Sequence, residues 1–189
     1  MYSRKPAIIA ICSALIVLFV ISTITILIKN NETKDAIKYE DFGQIIDVGN
    51  IKAVCPEGWY NCPVSDTWSD DENAIDKNTL YFIKGANKDS DFFTYPSIHI
   101  DYYGEDNVIV DIRDTYTDVQ DVSLNINGVK WEGFTGKFGD YLNGVLNVKD
   151  SGAICISLCL EASNGSYTLN DEDVKAILGS IEVATTDNK

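Results

Sequence analysis

The sequence predicts an α+β domain, a largely antiparallel sheet with helices packed on it, behind one membrane-spanning helix. Short alternating stretches separated by Asn-Gly and other turn signals give the antiparallel strands. Two segments, 105–119 and 168–183, carry helix signals and need a surface to cover. An uncharged run of 22 residues precedes them all.

That run, Ala7 to Ile28, reads "AIIAICSALIVLFVISTITILI" and holds only four hydroxyl side chains. As a helix it would rise about 33 Å, enough for a bilayer core. It ends in "TILIKNNET", without the small-x-small site of a cleaved signal peptide, so it reads as a signal anchor. Residues 1–6 are then a cytoplasmic tail, 29–41 a polar stalk, 42–184 one domain of ordinary size and 185–189 a tail. Basic residues flank both ends of the run and do not orient it. All 29 acidic residues but only 12 of the 15 basic ones follow it. Such a domain is repelled by anionic cytoplasmic headgroups, which places it outside the cell membrane on a single-pass anchor. The same charge excludes nucleic acid as a partner, since that needs a basic face.

Within the domain, "IIDVGNIKAV" reads as two short strands around a turn at Val48–Ile51. "CPEGWYNCPVSDTWSDDENAIDKN" is a long acidic loop, and "TLYFIK" (79–84) is a strand. "SIHIDYY" alternates, with Ile98, Ile100 and Tyr102 on one face and His99 and Asp101 on the other. "EDNVIVDIRDTYTDV" suits a helix, because Val108, Ile112 and Tyr116 recur at a spacing of four. "DVSLNINGVKWEGF" is a hairpin about Asn127-Gly128, and "DYLNGVLNV" and "AICISLCLEA" continue as strands. "TLNDEDVKAILGSIEV" is a closing helix, capped by Asn170 and ended by Gly179.

The runs "VCPEGWYNCPVSD", "TLYFIKGA", "WEGFTG" and "DEDVKAILGSI" resemble a set of small extracytoplasmic proteins of Gram-positive bacteria, many of them lipoproteins or signal-anchored. The order of elements also resembles the PsbP-like α+β fold. The resemblance spans about residues 45 to 183 and brings no catalytic motif with it. It allows a role as an accessory or assembly factor of an envelope complex. The cysteines depart from the pattern, where Val or Ala is more usual.

Little in the chain carries catalytic chemistry. The one histidine, His99, shares a strand face with Asp101, and such a pair could orient an imidazole for a hydrolase. No G-x-S-x-G elbow, P-loop or dinucleotide fingerprint accompanies it. The glycines of "GVKWEGFTGKFG" sit inside strands and read as bulges or close backbone approaches. Asn87, Asp89 and Asp91 have the spacing of a calcium loop, but Phe92 and Ile98 occupy its required Gly and Glu positions. No metal or cofactor is expected. The aromatics Trp59, Tyr60, Trp68, Phe92, Phe93 and Tyr95 all fall in predicted loops, where they either anchor the loops or bind a protein, peptide or glycan. A non-enzymatic, membrane-tethered binding module is the expectation.

Four cysteines follow the apolar run: Cys55, Cys62, Cys155 and Cys159. On one strand Cys155 and Cys159 share a face about 13 Å apart, too far for a disulfide or a common zinc ion. Cys55 and Cys62 could each bridge to that strand, or to one another, or all four could stay reduced. The cross-links to the late strand are the favoured expectation, each closing a loop of about 100 residues for roughly 4 to 5 kcal/mol.

Overall fold

The computed structural model describes residues 38–104 and 109–184. The expected anchor 7–28, the tails 1–6 and 185–189, and the stalk up to residue 37 lie outside the described residues. Among the described residues no helix is long and apolar enough to cross a membrane.

Twelve strands follow one another: β1 (Gly43–Asp47), β2 (Ile51–Pro56), β3 (Trp59–Asn61), β4 (Thr79–Lys84), β5 (Ser97–Tyr102), β6 (Thr117–Ile126), β7 (Val129–Phe138), β8 (Tyr141–Val148), β9 (Ile154–Cys159), β10 (Glu161–Ala162), β11 (Gly165–Ser166) and β12 (Glu182–Val183). The single α-helix among the described residues, α1 (Glu172–Gly179), lies between β11 and β12. Seven strands form one antiparallel sheet in the order β3-β4-β5-β9-β8-β7-β6. β1, β2 and β12 form a second, smaller sheet.

The core lies against the inner face of the large sheet. Leu80, Phe82, Ile98, Ile100, Leu146, Ile156 and Leu158 point inward at alternate positions, as period-two strands require. Ile51 and Ala53 of β2 and Val174, Ile177 and Leu178 of α1 close over them. α1 packs on β2 and touches the inner side of β6.

This corrects the α+β expectation. The domain is mostly β, and the layer opposite the large sheet is one short helix beside a three-stranded sheet. The overturned element is the helix expected over 105–119. Residues 109–112 have no regular structure, 113–115 form one 3-10 turn, and Thr117 already begins β6. Five β-branched residues between Ile109 and Thr117 lower helix propensity, and the exposed edge of β7 offers them pairing instead. Asp118, with φ of 54°, marks a bulge where β6 first meets β7.

The hairpins match their turn signals. The Asn127-Gly128 turn joins β6 to β7, with both residues at positive φ. The helix start shifts by one residue: Asp171, not Asn170, occupies the cap position. Its carboxylate is held instead by the Thr168 hydroxyl at 2.6 Å.

Candidate functional site

The strand register assembles a surface that no single motif predicts. Tyr81, His99, Ser157, Val145 and Phe134 stand opposite one another on β4, β5, β9, β8 and β7. The flanking row is Ser97, Cys159, Asn143 and Gly136. On the other side run Thr79, Asp101, Cys155, Asn147 and Glu132. All belong to the outer face of the large sheet, away from the core.

Two aromatic segments fold onto this face from opposite sides. The 3-10 turn Asp89–Phe93 sets the Phe92 ring edge-on to Tyr81, with centroids 6.3 Å apart. At the other side Tyr116 lies 5.0 Å from Phe134 and 5.7 Å from Phe138. Gly136 allows this. A Cβ there would come within 3.1 Å of the Tyr116 Cβ and 3.0 Å of the Thr117 carbonyl oxygen. Between the two walls runs a groove of about 460 Å³, lined among others by Tyr81, Phe92, His99, Tyr116, Asn143 and Ser157.

The groove floor keeps polar groups for a ligand. His99 Nε2 stands 3.6 Å from Asp101 Oδ1, beyond hydrogen-bond reach, and its ring tilts against Tyr81 at 5.1 Å. Asp101 accepts a bond from the Thr79 hydroxyl at 3.0 Å. Ser157 is exposed directly across from His99. The order is not that of a hydrolase triad: Asp101 approaches Nε2, the nitrogen that would have to serve Ser157.

The aromatics singled out by sequence separate into three groups. Trp59 is in β3, not in a loop, and is only 8% exposed. Its ring packs 5.4 Å from that of Tyr167, and its Nε1 donates to Asp173 at 2.7 Å. Tyr60 and Phe92 belong to the groove's side of the sheet. The Tyr60 hydroxyl donates to Asp89 at 2.7 Å, which fixes the turn that carries Phe92. Phe93 stacks on Phe92 at 3.6 Å and is itself exposed, and half-buried Tyr95 lies over Gly85. Trp68 stands apart, 96% exposed at a loop tip. Tyr81, Tyr116, Asn143 and Ser157 escaped sequence reading. Alternation alone put Ser157 between the outward cysteines, but the strand neighbours that give it meaning are not local.

The expected disulfides are not formed, and all four cysteines are free. Cys55 is part of the core cluster, whereas Cys155 and Cys159 point to the outer face of β9. The sheet itself therefore separates Cys55 from them. Cys62 faces Asp89, its sulfur 3.8 Å from the carboxylate. Burial pushes the Cys55 thiol up to about 11 and raises the other three, with Asp89 adding to the shift at Cys62 and Asp101 at Cys155. Protonated thiols are poor nucleophiles. Mass mapping under native conditions is expected to find four alkylatable thiols only after unfolding, with Cys55 labelled at least about tenfold more slowly in the native protein. A peptide linked through Cys55 that disappears on reduction would contradict the sheet's placement of these residues.

Comparisons with family models, with curated proteins and with solved structures find no match.

Proposed function

We propose that the domain is a non-enzymatic binding module whose ligand lies across the outer face of the large sheet, with residues 7–28 as its membrane tether. The groove between Phe92 and Tyr116 carries this reading. It joins apolar walls to a floor of imidazole, hydroxyl and amide groups, the mixture that fixes a ligand's orientation. The four raised thiols and the arrangement at His99 supply no activated nucleophile.

His99, the only histidine in the chain, provides a reporter inside the groove. Panels of peptides and oligosaccharides can be screened by the NMR signals of its imidazole in the full chain. A ligand that shifts them is expected to lose affinity about tenfold on Tyr116→Ala or Phe92→Ala, as buried aromatic anchors do. Trp68→Ala is the control and is expected to leave that affinity unchanged. Ligands that bind without moving His99, and that tolerate both wall substitutions, would overturn the proposal.

A further inference from the structure

The groove's surroundings select among ligands. No lysine or arginine lines it. The turn that carries Phe92 also carries Asp89 and Asp91, and Asp101 lies on the floor beside His99. On the same face the cations are already engaged: Arg113 with Asp111 and Asp121, Lys149 with Glu132 at 3.0 Å. Asp89 and Asp91 have no ion-pair partner among the described residues.

The face also shows how it accommodates a cation. Arg113 places its guanidinium 5.2 Å from the Phe134 ring centroid, one row position from the groove and beside Tyr116. A planar cation on an aromatic face, backed by carboxylates, is a favourable arrangement in a partly desolvated site. The groove repeats those ingredients, with Tyr81 and Phe92 as rings and Asp89 and Asp91 as carboxylates, but without an internal cation.

Size distinguishes a chain from a lone ammonium ion. The walls rise from β4 and β7, which lie four strand spacings apart, about 19 Å. A groove of about 460 Å³ holds several side chains rather than one small head group. Ser97, Ser157, Asn143 and His99 can hydrogen-bond the amides of a segment laid across the strands.

We infer that the groove receives a basic, extended segment of a partner protein, with a lysine or arginine side chain seated between Tyr81 and Phe92. This rests on the proposed binding role of the groove and adds the chemistry of what binds. The chain's net charge of −14 attracts any basic partner, so the decisive readout is the groove and not affinity alone.

The test titrates the full chain, observed at His99 by NMR, with three probes. These are a capped octapeptide of alternating Lys and Ala, its fully acetyl-lysine counterpart, and a neutral glucose hexasaccharide. The lysine peptide is expected to shift the His99 signals saturably. The acetylated peptide should bind about tenfold more weakly, and Phe92→Ala should weaken the lysine peptide about fivefold or more. A lysine peptide that binds without moving His99, or whose affinity is unchanged by Phe92→Ala, sits elsewhere on the acidic surface and overturns the inference. Equal shifts from both peptides, or shifts from the hexasaccharide alone, also overturn it but leave the groove as a binding site. If no probe moves His99, the inference falls and the binding role loses its support with it.

Discussion

Gly133→Val is expected to destabilise the domain by at least about 3 kcal/mol, and to reduce the yield of folded protein accordingly. Gly133 lies mid-strand in β7, opposite Leu146 of β8 and Val122 of β6. A Cβ at this position would overlap the carbonyl oxygen of Val145, a backbone atom of the neighbouring strand. No rotamer relieves such a clash, so β7 and β8 must separate or slip. A one-residue slip would turn Trp131, buried in the core, to the outside. Chemical denaturation of the variant should show a large fall in midpoint, and Gly133→Ala a fall of the same sign. Gly136→Ala provides the contrast. It meets the Tyr116 segment rather than a paired strand, so its main effect should fall on the groove wall and on the His99 signals. A Gly133→Val protein as stable as the parent would mean that the β7–β8 register is wrong.

Asp173→Ala is expected to cost about 2 to 3 kcal/mol, because it leaves two donors without their acceptor. Asp173 accepts from Trp59 Nε1 at 2.7 Å and from Lys84 Nζ at 2.8 Å, while Lys84 also lies 5.4 Å from the centre of the Trp59 ring. These bonds tie the first turn of α1 to β3 and β4, and so hold the helix over the sheet. Burial opposes ionisation of Asp173, but the bonds from Lys84 and Trp59 outweigh it and hold the carboxyl below its ordinary value. The folded state therefore binds this proton less readily than the unfolded chain. The stabilisation is complete above the unfolded value of about 3.9 and is lost as pH falls through the lower folded value. Asp171, bonded by Thr168, shifts the same way. Asp173→Asn keeps an acceptor for Trp59 and removes the charge. It should cost less than Ala at neutral pH and flatten the acid limb of the stability profile. Denaturation midpoints between pH 2 and 7 check both points, and an acid limb unchanged by Asp173→Asn would contradict the assignment.

The register at Gly133 shows how far local patterns reach. Glycines inside "GVKWEGFTGKFG" signal close backbone approach, and Gly133 and Gly136 fulfil it. Asn127-Gly128 locates its hairpin because only residues that accept positive φ fit that turn. The outward face of His99, Asp101, Cys155 and Cys159 follows from period-two alternation, a property of each strand alone. The 105–119 segment fails for the opposite reason. Its spacing of four fits a helix, but an available strand edge is a partner that no local window contains.

The sequence by itself determined most of the strands, their turns, the closing helix and which side of each strand is apolar, because these depend on residues within a few positions of one another. Only the tertiary structure decided that Trp59 turns inward to Asp173, that the sheet separates Cys55 from Cys155 and Cys159, and that Phe92 and Tyr116 face each other across a groove. Each of these joins residues from distant strands, and the order in which strands pair is set by how the whole core closes.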